Sequence, residues 1–597
     1  MKLAAFVLGA IPLLIQLYTD QFQEDDKVST LAELKNDLNL PRIKTYDFIV
    51  VGAGTAGCIV ASRLSEQFSV LLLEEGGEPV SAFAVPYFTK WVGYDPAINF
   101  NYSSIPQRFA SLDTGGVIIS PTGRMYGGTS SHNDMVFNRG SPKDYDNYAR
   151  ILNDPSWRYE NVVKFFKRVE TFIGALFTGD HVENYGHQGP ITVDTDTPPF
   201  LPIWFKAGKE LGYNVGDPNA FQRESFTTVA KAIKKGQRSN AHKEYLKPIL
   251  KTRPTLTVLP YSVAIEILIE ENNRANGVLY ERHGIPQITH ASKEVIISSG
   301  SYGSPILLMK SGVGPRNQLE EAGIPVKLDL PVGQNLGDHL MFIIDNINYN
   351  NLITPFIPRM PQEQDFERMI QTYQETGEGI LGMMQYGPQA FISSSRAKRE
   401  GQGDWPDIQL FYVPMCHAAE GNDLPTSCMA IFVGRPKFRG TLRLNTTAYK
   451  EGERSDNVKL AIIDFGIFEK GSGSDLDVMV EGVDVLFKVI NTTTMQKFGA
   501  VYRGTPHPAC GAKAFMSREY WRCAIMQMLH TSFHTVGTCS MGSVTDSKFR
   551  LNGISNLRVV DASVFPAVPN ANTHAPTMMI GEKAVSDILQ FWQHYGS

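Results

Sequence analysis

The chain has 597 residues, 42% of them hydrophobic and 20% charged, with a formal net charge of −5 at neutral pH. That length exceeds one compact core, so two or more domains are expected, in the composition range of ordinary globular proteins. The acidic balance and the lack of any basic run exclude nucleic acid as the main partner.

In chain order, Lys2 is followed by an apolar run from Leu3 to Tyr18, interrupted by Gly9 and Pro12. It is too short and broken for a stable membrane span. It reads as a secretory signal peptide over residues 1–18, with a retained anchor as the alternative. Polar residues Asp20 to Asn39 form a leader separate from the fold. The sequons at Asn101, Asn445 and Asn491 agree with a secreted, extracellular glycoprotein. Cys416 with Cys428, and Cys510 with Cys523, are close enough to pair in an oxidising compartment; four buried thiols are the other reading.

Phe48 to Val51 is a buried-strand run, and Gly52, Gly54 and Gly57 follow it. In a dinucleotide fingerprint the first glycine permits a tight turn. The second lets a pyrophosphate approach, and the third lets the helix pack on the strand. The helix expected from Thr55 to Glu66 offers the amides of its first turn, at Thr55 and Ala56, to phosphates. Val70 to Leu73 is the next strand. Glu74, with Glu75 beside it, closes that strand, where an acid can accept ribose hydrogen bonds.

Pro121 to Asn133 is a loop rich in glycine and hydroxyl residues, suited to holding backbone amides near a ligand. Asp154 to Ile173 has helical spacing, with a Pro155 start and a Trp157 anchor. Leu256 to Ile269 reads as strands, and Glu294 to Ser299 as a buried strand leading into Gly300. Ile306 to Met309 opens a helix that stops at Gly312. From about 345 to 520, alternating stretches such as Ile408 to Val413 and Thr441 to Leu444 suit an antiparallel sheet, and Asp475 to Ile490 has helical spacing. The last 65 residues or so return to short strand and glycine motifs. A first domain over 45–340 is therefore completed by 530–597. Insertions near 150–235 belong with a second domain over 345–529.

Several segments together resemble one family, the glucose–methanol–choline (GMC) oxidoreductases. Gly300-Ser-Tyr-Gly-Ser-Pro-Ile-Leu-Leu-Met-Lys-Ser-Gly-Val-Gly meets every constrained position of the family's second signature. Gly123 to Asn133 resembles the first, departing at Tyr126 and His132, where aliphatic residues are usual. Pro331 to His339, His534 to Gly542 and Val560 to Pro566 match further family motifs. The arrangement looks closest to the secreted insect branch, with its glucose dehydrogenases and ecdysone oxidases. The resemblance implies an α/β Rossmann-like FAD-binding domain and an α+β substrate domain on an antiparallel sheet. It implies FAD as cofactor, an alcohol as substrate, oxygen or a quinone as acceptor, and no metal.

The resemblance also assigns residues. Gly52, Gly54 and Gly57 would hold the pyrophosphate and Glu74 the adenosine ribose. Arg124, Gly127, Gly128, Thr129, Asn133 and Met135 would lie along the isoalloxazine and its phosphate arm. The Ala264 backbone would meet adenine, Asp561 and Ala562 the ribityl region, and Pro576 and Thr577 the pyrimidine edge. His534 would be the catalytic base, because a neutral imidazole can take a hydroxyl proton near pH 7. Asn572 would donate to the substrate oxygen beside the flavin, with His574 the competing candidate. His132 stands where choline oxidases carry a histidine bonded to the flavin; a hydrogen-bonded histidine is the other reading. His339 reads as a loop residue supporting the flavin. Phe391, Phe411 and Tyr412 are either pocket lining or core. An ecdysteroid or another steroid or aryl alcohol is the first substrate expectation and glucose the second. A catalytically silent flavoprotein and an NAD-dependent dehydrogenase are the rival classes.

Overall fold

The structure is a computed structural model that describes residues 2–37, 44–89, 95–220, 222–357, 365–384, 386–414, 424–469 and 471–595. The strand Lys44–Val51 lies between Val70–Leu73 and Ile285–Ile297, parallel to both. Leu256–Leu259 extends the sheet beyond Val70–Leu73, and the C-terminal strand Leu557–Val559 pairs with the end of Ile285–Ile297. Ala275–Arg282 and Ser262–Ile269 continue it as an antiparallel meander. Phe48, Ile49 and Val50 are fully buried, as expected for parallel strands covered on both faces. The helix Thr55–Leu64 packs on one face, against the C-terminal helix His574–Tyr595. Gly581 makes that contact close: a Cβ there would sit 3.2 Å from Ile59.

The second sheet has eight strands. Its core is Leu340–Asn348, Thr426–Val433, Ile408–Val413 and Gln389–Ile392, all antiparallel. Ser225–Thr227 and Asn214–Gly216 extend one edge, and His530–Thr531 pairs with Leu340–Asn348. The sheet thus begins at Leu340, before the expected start at 345, and draws strands from within 150–235. Thr426–Val433 is buried at every position, and the helix Ser474–Ile490 covers it. Phe391, Phe411 and Tyr412 belong to this core; Tyr412 stacks on Phe200 at 4.0 Å. Helix Gly300–Lys310 starts six residues before the expected Ile306, with Pro305 inside its first turns.

The N-terminal segment departs most from expectation. Lys2–Asp37 is one helix, and its second half is not separate from the fold. Thr19, Gln23, Thr30 and Leu34 are buried. Asp26 accepts a hydrogen bond from the Tyr261 hydroxyl at 2.7 Å, and Gln23 donates to the Glu78 carbonyl at 2.9 Å. These contacts repeat every three or four residues, so they share one helix face. Most are polar, which is why an apolar periodicity did not reveal them. No helix among the described residues is long and apolar enough to cross a membrane. Cys510 and Cys523 form a disulfide, Cys58 and Cys539 are buried thiols, and Cys416 lies outside the described residues.

Candidate active site

A cavity of about 900 Å³ runs from the first glycine turn to His534. At its inner end Gly52 has φ +100°, and a Cβ there would lie 2.5 Å from the Ser298 carbonyl oxygen. At Gly57 a Cβ would lie 1.9 Å from the Gly52 oxygen, so this glycine sets helix-on-strand packing and does not line the cavity. A Cβ on Gly54 would meet nothing closer than 3.8 Å, leaving its cavity side open to a ligand. Thr55 and Ala56 present the helix N-terminus to the same space.

Glu74 lines the cavity with both carboxylate oxygens engaged by backbone amides, Ala53 at 2.7 Å and Gly76 at 2.9 Å. Burial pushes its carboxyl up to about 7 against those hydrogen bonds, and burial pushes Glu75 up to about 8. Ser262 and Ala264 line the same cavity. Asp561 accepts from the Gly300 amide and the Ser304 hydroxyl, at 2.9 and 2.6 Å, joining the C-terminal segment to the start of helix Gly300–Lys310. Ala562, Thr577 and the 128–134 loop complete the wall.

Besides Gly57, four expected cofactor contacts lie off the cavity wall. Arg124 does not line the cavity; its guanidinium donates to the Pro96 and Ala97 carbonyls at 3.1 and 3.3 Å and lies over Phe100. Gly127 shapes the turn, with φ +86° and its amide on the Ala53 carbonyl. Met135 is buried in the second core, and Val136 takes its place on the wall. Pro576 is buried and does not line the cavity, whereas His574 and Thr577 do.

Gly128, Thr129, His132 and Asn133 line the cavity as a tight turn. Sequence reasoning missed the residue that holds it. Arg238 is buried and donates to Asn133 Oδ1 at 2.7 Å, to the Ser130 carbonyl and to Thr89. His132 is buried and its Nε2 has no hydrogen-bond partner among the described residues. Burial, helped by the Arg238 charge, lowers its imidazole to about 3, so it is neutral at pH 7.

At the outer end stands His534. Its amide donates to Asp338 Oδ1 at 2.8 Å, which anchors the backbone. Its Nδ1 lies 2.9 Å from His339 Nδ1, and its Nε2 lies 3.3 Å from Asn572 Nδ2. Burial first, and His339 second, hold its imidazole well below the usual range, so the base form prevails at neutral pH. His339 does not line the cavity; its ring packs edge-on against His534 and meets its Nδ1.

The Asn572 amide is oriented by a buried series absent from the sequence reading. The Thr228 carbonyl accepts from Gln389 Nε2 at 2.9 Å, so Gln389 Oε1 faces Asn138 Nδ2 at 3.0 Å. Asn138 Nδ2 also donates to Asn572 Oδ1 at 3.2 Å. That leaves Asn572 Nδ2, a donor, facing His534 and the cavity. His574 also lines the cavity, but its ring lies edge-on to Phe137 with centroids 6.1 Å apart and makes no hydrogen bond to His534. Neither of its nitrogens makes a well-aligned hydrogen bond among the described residues, and burial, against the nearby Val136 carbonyl, lowers its imidazole to about 3. No group of residues able to hold a metal is found among the described residues.

A glycine-turn nucleotide cavity ending at an ordered histidine and amide defines a dinucleotide-dependent oxidoreductase. The GMC oxidoreductase family models match residues 46–341 and 436–581, and the chain belongs to that family. It is an FAD-dependent oxidoreductase acting on CH–OH donors. It is 31% identical to the glucose dehydrogenase [FAD, quinone] of Drosophila melanogaster, over 92% of this chain and 87% of that one. It is 31% identical to the oxygen-dependent choline dehydrogenase of Photobacterium profundum, over 91% and 93% of the two chains. Among solved structures it is similar to a formate oxidase, with a TM-score of 0.81 and 22% identity over 93% of this chain and 100% of that one. A fungal aryl-alcohol oxidase has a TM-score of 0.76 at 23% identity, over 92% and 99%. At those identities the two structures speak to the fold alone.

Proposed function

We propose that this protein is a secreted oxidase of an apolar alcohol, an ecdysteroid or another steroid or aryl alcohol. The observation that carries the substrate class is the wall around His534. Met341, Ile343, Tyr386, Phe533 and Val136 line it, and Ile343 and Phe533 are exposed at the mouth. Among the described residues the cavity's acids are Glu74, Glu75, Asp134 and Asp561. Three lie in the nucleotide loops, and Asp134 has the Arg238 charge beside it. A quaternary ammonium donor would therefore find no free carboxylate near His534, while an apolar ring would find a matching surface.

The cavity fits FAD: its volume, the open side of Gly54 and the unpaired amides of the first turn of helix Thr55–Leu64 suit a dinucleotide. FAD supplies the two-electron, hydride-accepting chemistry when bound. Gly54, Thr55, Ala56 and Glu74 would hold its nucleotide half, and His132, Asn133 and Thr577 its ring. His534 Nε2 takes the proton of the substrate hydroxyl, raising electron density on the carbinol carbon. Asn572 Nδ2 donates to the oxygen and steadies its developing charge. Apolar walls shield the carbinol carbon from water. Oxygen is the proposed acceptor, with a quinone as the alternative.

The second reading is a sugar dehydrogenase, favoured by the similarity to the Drosophila glucose dehydrogenase. An anaerobic panel separates the two: a steroid or benzylic alcohol should bleach the flavin faster than glucose or choline. Bleaching by glucose alone would replace the apolar reading. Bleaching by no alcohol would leave a silent flavoprotein. Secretion is supported by the apolar start and the sequons, and the Cys510–Cys523 disulfide fits an oxidising compartment.

A further inference from the structure

We propose that His339 is a positioning residue that dictates which nitrogen of His534 is free to take the substrate proton, using the Gly434 carbonyl as its reference. This rests on His534 being the base.

Two backbone carbonyls, Gly434 and Pro569, face the His339 ring, and the one well-formed contact to a carbonyl is from Nε2 to the Gly434 oxygen at 3.1 Å. A carbonyl only accepts, so the proton of His339 sits on Nε2. Burial keeps His339 neutral, with its imidazole lowered to about 4. A neutral imidazole has one N–H, so His339 Nδ1 is a bare lone pair. That lone pair is 2.9 Å from His534 Nδ1, and the contact is attractive only if His534 carries its proton there. The remaining lone pair of His534 is then on Nε2, on the Asn572 and cavity side. The opposite tautomer of His534 would set two lone pairs against each other and leave the base without its free nitrogen.

The reference carbonyl is itself rigid. Gly434 follows the strand Thr426–Val433, and its amide donates to the Asp407 carbonyl at 2.9 Å. A Cβ at this position would lie 1.9 Å from Asn570 Oδ1, so a side chain would displace it. The second sheet thereby sets the tautomer of a histidine whose backbone is tied to Asp338. When Nε2 gains a proton, the Nδ1–H remains hydrogen-bonded to His339, so the cation forms without rearrangement.

The test uses holoenzyme labelled with nitrogen-15 histidine, with the His534 signals identified by their loss in His534→Ala. The expected spectrum has His534 protonated at Nδ1 and bare at Nε2, and His339 protonated at Nε2. His339→Leu should slow anaerobic flavin reduction by ~10²-fold, the low end for a general base, with FAD content and substrate Kd retained. His339→Gln offers both an acceptor and a donor and should recover part of that loss. A His534 protonated at Nε2 in the wild type, or a Leu variant reduced at wild-type speed, would overturn the inference. If the Leu variant fails to fold, the wild-type spectrum decides. If no alcohol reduces the flavin yet the tautomers are as stated, the proposed function fails and the positioning stands. If His534→Ala is slow and the spectrum is reversed, the positioning alone fails.

Discussion

His574→Gln turns a buried imidazole into a group that does not titrate. His574 is buried, and burial with the nearby Arg238 charge lowers it to about 3 from an ordinary 6.5. In the unfolded chain the same histidine takes a proton as the pH falls through about 6.5. Between those values the unfolded state binds one more proton, so stability rises with pH and is lost as pH falls. The loss begins near pH 6.5 and would be complete near pH 3. At about pH 4.5 two pH units have been crossed, which costs the wild type about 3 kcal/mol. The Gln variant escapes that cost. Urea unfolding of both holoproteins at about pH 7.5 and 4.5 measures it. The variant should gain about 3 kcal/mol on the wild type between the two pH values. Other buried groups cancel in this comparison, including His132, His339, Glu74 and Asp338. Curves that shift in parallel, with the gap unchanged, would refute the neutral buried state of His574. The same variant should reduce its flavin within a few-fold of wild type, because Asn572 and not His574 stands beside His534.

Further outcomes are expected elsewhere in the site. His534→Ala should keep its FAD and lose at least ~10²-fold in flavin reduction in stopped-flow; wild-type speed would remove it as the base. Asn572→Ala should lose about 10²–10³-fold, the worth of one oxygen-directed donor. Asn138→Leu should lose part of the same rate with FAD retained, since it frees the Asn572 amide to turn; an unchanged rate would show that the buried amide series orients nothing. His132, neutral, lining the cavity and with a buried Nε2 that has no hydrogen-bond partner among the described residues, is expected to carry flavin through acid denaturation, as a peptide heavier by FAD. Flavin released into the supernatant would make it a non-covalent neighbour. Expression in a eukaryotic secretory host should put protein in the medium with a glycan at Asn491, which is exposed at the end of helix Ser474–Ile490. Asn101 is half-buried in its strand and should be modified less. Cytosolic, unmodified protein would reject secretion.

Much of this protein was determined by local sequence. The glycines at 52, 54 and 57 are readable because each answers a backbone demand within a few residues: a positive φ, an open approach, a helix packed on its strand. Continuous apolar runs announced the parallel strands, and alternation announced the antiparallel sheet. Family motifs carried His534 and Asn572 to one site although 38 residues separate them. The roles of their neighbours were decided only in three dimensions. His339 and His534 are 195 positions apart and Gly434 another 95 from His339, so no spacing rule connects them. Asn138 reaches Asn572 across 434 positions. Arg124 matched a motif yet turned to the Pro96 and Ala97 carbonyls, because a guanidinium goes where unpaired acceptors are. The N-terminal helix docked through polar side chains, which leave no hydrophobic period to read. Sequence thus determined what each segment's own backbone and apolar pattern require. The tertiary structure decided which donors meet which acceptors, since hydrogen-bond direction depends on partners the chain brings together only when folded.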